Sequence, residues 1–222
     1  LLLILTSLGA FGKVPGRTEL KKIQNYTASE VYSADNYLLG RYYVENRTNT
    51  AIEEVPDFLI KALIATEDAR FYSHRGTDTR SIFRVIFKSI LLNRDAGGGS
   101  TITQQLAKNL YPRKKLGFLT IPVAKIREVI IAKRLEEIYT KTEILELYLN
   151  TVPFGDNTYG IETAALVFFN KKTRDLLPEE SAVLVGMLKG NTDYNPVRNY
   201  DAALERRNVV LNQMVRFKYL EK

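Results

Sequence analysis

From Pro56 onward the chain carries helical signals almost without a break, and this limits its possible folds more than any other feature. Apolar residues recur at three- and four-residue spacing, so one face of each segment turns towards a core. The pattern predicts a helix from Pro56-Asp57 to about Phe71, and others over 81–92, 101–110, 123–139, 140–150, 160–169, 178–189 and 201–217. Thr140 and Glu143 have the spacing of a capping box, and Pro178 followed by two glutamates suits a first helical turn. Before Pro56 the texture changes. Residues 31–44 hold two short Tyr/Val/Leu runs separated by Asp35-Asn36, a hairpin pattern. The expectation is a mostly α fold with a small β appendage.

The first eleven residues, LLLILTSLGAF, carry no charge. Spanning a bilayer takes ~20 apolar residues, so this stretch reads as the trailing end of a longer membrane anchor. A signal peptide is the rival reading. The 222 residues suffice for one well-buried domain, and the absence of cysteine excludes disulfides and thiolate metal sites. A single histidine excludes a three-histidine zinc site. The net charge of +7 favours anionic partners: nucleic acid, acidic headgroups or phosphorylated ligands.

Two acids stand where acids are costly. On a helical wheel Glu67 shares its face with Ile60, Leu63, Ile64, Phe71 and His74, while Asp68 points about 100° away on a side that reads as wet. Glu128 likewise lies with Ala124, Ile131, Ala132 and Leu135. A desolvated carboxylate is a stronger base near neutral pH, and paired carboxylates are the usual equipment of glycosyl chemistry. The structural alternative is a buried ion pair, Glu67 with Arg70 or Glu128 with Lys125. Glu146 sits on an ordinary polar face, and His74 reads as a hydrogen-bonded packing residue.

Gly97-Gly98-Gly99-Ser100-Thr101 feeds directly into a helix bearing a polar row of Gln104, Gln105 and Lys108. Glycines allow close backbone approach, and a helix start offers donors to an anion. Further on the amino-terminal side, Arg80, Arg84 and Lys88 form one stripe on an otherwise apolar helix, which suits a bilayer surface.

Five stretches carry a resemblance: ATEDARFYSHRG (65–76), GGSTITQQLAKN (98–109), KIREVIIAKRLE (125–136), KTEILELYLN (141–150) and YNPVRNYDAALERRNVVL (194–211). In this order they resemble glycosyltransferase family 51, the peptidoglycan glycosyltransferase domain of class A penicillin-binding proteins. The resemblance implies a lysozyme-like, mostly α fold with a small membrane-associated lobe and a β-hairpin near the anchor. The expected organisation is a truncated anchor over 1–12, a hairpin-bearing linker over 13–54 and the transferase domain over 55–222. The implied reaction polymerises lipid II with inversion, forms β-1,4 links and releases undecaprenyl pyrophosphate. Carried over by motif, Glu67 is the general base and Glu128 the second acid, the two facing one another across a dry groove lined with lysines. Ser100, Gln105, Lys108, Asn109, Lys125 and Lys189 line the donor cleft, whereas Arg206 and Arg207 read as structural.

No cofactor is implied as required; a divalent metal (Mg or Mn) assists at the pyrophosphate in some relatives. The implied partners are lipid II, the growing glycan, the bacterial cytoplasmic membrane and other cell-wall synthesis proteins, with no nucleic acid. The catalytic domain is expected outside the cytoplasm behind a single-pass anchor. The sequence departs from the family at Ala124, where many members carry arginine, and in a longer link around Lys114–Pro122. Arg113, Lys114, Lys115 and Arg127 are the candidate replacements. Neither Ser-x-x-Lys nor Lys-Thr-Gly occurs, so the chain reads either as a monofunctional enzyme or as the N-terminal part of a bifunctional penicillin-binding protein; its start inside an apolar stretch makes the second the expectation. The rival function is a lysozyme-like hydrolase or lytic transglycosylase.

Overall fold

The structure, a computed structural model, describes residues 1–23, 29–42, 45–80 and 99–221. The expected helix over 81–92, with its Arg84 and Lys88 stripe, lies outside the described residues, as do Gly97 and Gly98. Nine α-helices are present among the described residues: α1 (Leu2–Ser7), α2 (Arg17–Leu20), α3 (Asp57–Glu67), α4 (Ile102–Leu110), α5 (Thr120–Ile138), α6 (Lys141–Thr151), α7 (Ile161–Phe169), α8 (Pro178–Met187) and α9 (Tyr200–Arg216). The mostly α expectation holds. The chain divides into two compact units, Leu1–Ile23 with Glu67–Tyr148, and Gln24–Thr66 with Leu149–Lys222.

In the first unit α4 and α5 carry the core, burying Ile102, Leu106, Ile131 and Leu135 together with Phe71, Ile144 and Tyr148. Thr101 starts α4. Its hydroxyl accepts from the Gln104 N–H at 3.1 Å and donates to the Gly76 carbonyl at 2.8 Å. Gly76 has φ +79°, and a Cβ there would stand 2.9 Å from the Ala132 backbone of α5. Only glycine lets the chain pass this close to a helix backbone. The capping box forms at the start of α6: Glu143 accepts from the Thr140 N–H at 2.7 Å, and Thr140 accepts from the Glu143 N–H at 3.3 Å. The amino-terminal segment is tied to α5, with Arg134 donating to the Pro15 carbonyl at 2.6 Å and Tyr139 to that of Leu20 at 2.7 Å.

The second unit holds the hairpin, β1 (Ser29–Tyr32) antiparallel to β2 (Leu38–Tyr42). A second sheet, unforeseen in the sequence, orders β3 (Asn46–Arg47), β5 (Thr158–Tyr159) and β4 (Pro153–Gly155) with β5 central. Strands of two or three residues are too short to show a period. Buried Asn150 accepts from the Thr50 N–H and donates to the Thr50 carbonyl, both at 2.9 Å. Glu180 accepts from the Leu177 N–H at 2.8 Å, which satisfies an orphan donor at the start of α8.

The end of α3 departs furthest from expectation. Helix α3 stops at Glu67 rather than Phe71, and a 3₁₀ turn over Phe71–Ser73 follows. At the other end, α1 is only six residues long, and no helix among the described residues is long and apolar enough to cross a membrane.

Candidate active site

Glu67 is the last residue of α3, half-buried, and its Oε2 accepts from the Gln105 side-chain amide at 2.8 Å. The other end of that amide is held too, because the Tyr148 hydroxyl donates to Gln105 Oε1 at 3.0 Å. Tyr148 is completely buried, and burial, followed by the nearby Glu67 charge, pushes its phenol well above the ordinary range. It therefore stays protonated, and it donates. Neither Tyr148 nor this relay was foreseen in the sequence. The signal available was a phenol four residues from Ile144 on the apolar stripe of α6, which reads equally well as ordinary core.

Asp68 requires a correction. The helical wheel placed it on a wet side, but it is buried, at 7% exposure. Helix α3 ends one residue earlier, so the 100° step no longer describes where Asp68 points. Its carboxylate lies 3.0 Å from His74 Nε2 and accepts from the Ile102 N–H at 3.1 Å. That contact satisfies a free donor at the amino end of α4. His74 is the hydrogen-bonded packing residue expected, edge-on to the Phe71 ring at 6.3 Å. The pairing envisaged for Arg70 is not with Glu67: Arg70 binds Asp78.

Glu128 is buried on α5 at 4% exposure, on the apolar face expected. It is also the ion pair offered as the structural alternative, and more than that. Lys125 Nζ lies 2.6 Å from Oε2, while Arg113 donates from Nε to Oε1 at 2.9 Å. Lys125 also donates to Ser100 Oγ at 2.9 Å. One carboxylate thus gathers two cations and a hydroxyl, and the group keeps a surplus positive charge among the described residues. The Lys125 and Arg113 side chains keep 44% and 33% of their surface exposed. Both oxygens of Glu128 face cationic donors. No group of three or more metal-ligating side chains gathers among the described residues.

The remaining expected site residues fall as follows. Lys108 is exposed and Asn109 half-buried on α4, one turn beyond Gln105. Lys189 is exposed in the second unit, with its ammonium 5.9 Å from the Tyr194 ring centre. Arg206 donates to the Gly186 carbonyl at 3.4 Å, as a structural residue would. Of the four candidates for the missing arginine, Lys114 and Lys115 are exposed, Arg113 serves Glu128, and Arg127 is 8% exposed and turned to the Lys13 carbonyl at 3.3 Å.

The transglycosylase family profile matches residues 35–215. Penicillin-binding protein 1A of Escherichia coli is 40% identical over 205 residues, 91% of this chain and 23% of that protein. Penicillin-binding protein 1F of Bacillus subtilis is 40% identical over 194 residues, 87% of this chain and 27% of that protein. The crystal structure of penicillin-binding protein 1A from Haemophilus influenzae is similar with a TM-score of 0.50 and 25% identity, over 90% of this chain and 20% of that one. The chain spans about a quarter of the length of these curated relatives. On this match it belongs to the transglycosylase family, the peptidoglycan glycosyltransferase module of class A penicillin-binding proteins.

Proposed function

We propose that the chain polymerises lipid II into glycan strands, with Glu67 as the general base. The observation that carries this reading is the half-buried Glu67 held by Gln105 in the same compact unit as the cationic group around Glu128. The acceptor 4-hydroxyl must lose a proton as its oxygen attacks the donor anomeric carbon, and Glu67 takes it. Attack opposite the departing pyrophosphate inverts that carbon and gives a β-1,4 link. The leaving undecaprenyl pyrophosphate gains negative charge, which cations stabilise better than a proton donor would. Lys125 and Arg113 supply that charge, with Lys108, Lys189, Ser100 and Asn109 completing the donor contacts. Glu128 acts through the cations that it holds.

The reading requires no cofactor. A divalent ion (Mg or Mn) would assist at the pyrophosphate by offsetting its charge. The proposed organisation is an anchor end over 1–12, a linker over 13–54 and the transferase domain over 55–222. The proposed location is the outer face of the bacterial cytoplasmic membrane. Exposed Leu3, Ile4 and Leu8 support it, with Phe118 at 91% exposure beside Lys114 and Lys115.

Incubation with lipid II tests the reading. Polymer growth with loss of lipid II is expected, and Glu67→Gln should abolish it while lipid II still binds. Cleavage of finished glycan without polymer growth would make the chain a hydrolase instead. Polymerisation retained in Glu67→Gln would remove the base assignment.

A further inference from the structure

We propose that Tyr148 is a positioning residue for the transfer reaction: its hydroxyl decides which way round the Gln105 amide stands, and through it how Glu67 is held. The proposal rests on the reading of Glu67 as the base.

The two ends of a glutamine amide are nearly equal in size and opposite in hydrogen-bonding sense. An ionised Glu67 only accepts, so the NH₂ end must face it. Turned over, Gln105 would set its carbonyl oxygen against a carboxylate oxygen, two acceptors in contact. Nothing within the amide prevents that turn. The decision falls to whatever meets the other end, and there the Tyr148 hydroxyl donates to Oε1 at 3.0 Å. With the carbonyl pinned, the NH₂ end reaches Glu67 Oε2 at 2.8 Å.

Tyr148 suits this task. The side chain is 0% exposed, so water does not compete for its proton. Burial and the Glu67 charge both oppose loss of that proton, so its donor sense is constant over the range in which a carboxylate base works. All three members of the relay lie in the first compact unit, Glu67 at the end of α3, Gln105 on α4 and Tyr148 on α6. The base is thereby fixed against the helices that carry it, and local misplacement of a reacting group is costly.

Kinetics of lipid II polymerisation by the whole chain test the proposal. Tyr148→Phe keeps the ring and removes the hydroxyl. The expected result is a fall in kcat on the order of 10²-fold with KM for lipid II unchanged. The decisive measurement is a double-mutant cycle with Gln105→Ala. Once that variant has cut the relay, Tyr148→Phe should add no further loss of kcat, whereas additive losses would overturn the proposal. Placing 4-aminophenylalanine at 148 restores a donor in nearly the same shape and should recover kcat, which a merely structural role for the hydroxyl does not require. If Tyr148→Phe does not fold, the amine variant carries the test alone: near-full kcat supports the relay, and a folded enzyme with kcat lost overturns it. Glu67→Gln separates the two readings. If it stays active, the base assignment itself fails; if it is inactive while Tyr148→Phe keeps wild-type kcat, only the relay fails.

Discussion

Arg113 and Glu128 stand fifteen residues apart in sequence, and in space the guanidinium grips one carboxylate oxygen with two nitrogens, each at 2.9 Å. Lys125 takes the other oxygen at 2.6 Å. A buried carboxylate placed between two part-exposed cations orients them, and its own oxygens are already engaged by donors. Glu67 accepts from the Gln105 amide.

Arg113→Ala should therefore act on donor use more than on stability. The cations are one-third or more exposed, which discounts the ion pair to about 1 kcal/mol. If Arg113 serves the leaving group as proposed, its loss should cost on the order of 10²-fold in polymerisation. Thermal melts beside lipid II kinetics check this, and a melt shift large enough to explain the whole activity loss would contradict it.

Asp68→Ala should be chiefly a folding defect. It removes the acceptor for the Ile102 N–H and for His74, leaving both buried polar groups unsatisfied at a cost of about 3 kcal/mol. Because α4 carries Gln105 and Lys108, activity falls with the fold. Denaturant titration is the measurement, and a native midpoint in this variant would refute the capping role.

Thr140→Ala should show a pH-dependent cost. Hydrogen bonds from the Thr140 N–H and hydroxyl hold the Glu143 carboxyl below the ordinary carboxylate range. A carboxylate with a lowered folded-state pKa stabilises the fold at neutral pH, and that contribution disappears as pH falls through the folded value. Removing the hydroxyl should cost about 1 kcal/mol at neutral pH. The gap from wild type should then narrow below about pH 4, as read from melts across a pH series.

Phe118→Glu with Ile121→Glu should weaken association with vesicles of anionic phospholipid. The two side chains are 91% and 56% exposed, next to Lys114 and Lys115. Burying one large apolar side chain is worth roughly ten-fold or more in affinity. Co-sedimentation with vesicles lacking lipid II gives the readout, and unchanged pelleting would remove this loop from the membrane-facing surface.

Local chemistry is legible in the sequence itself. The capping box at Thr140, the apolar face bearing Glu128, the hairpin over β1 and β2, and the helical run after Pro56 all follow from spacing, because each depends on neighbours within a few residues. The family was legible through resemblance, from five motifs in their order along the chain.

What only the tertiary structure decided is how the charged and polar groups are partnered. Glu128 reaches Arg113 across fifteen residues, Gln105 reaches Glu67 across 38 and Tyr148 across 43, and Asp68 meets Ile102 across 34. A helical wheel reports which face a residue occupies, but not what another helix brings to that face. It fails outright one residue past a helix end, as at Asp68. Hydrogen bonds reach about 3 Å and depend on angle, so whether a glutamate meets an amide or gathers two cations follows from packing that no local pattern encodes.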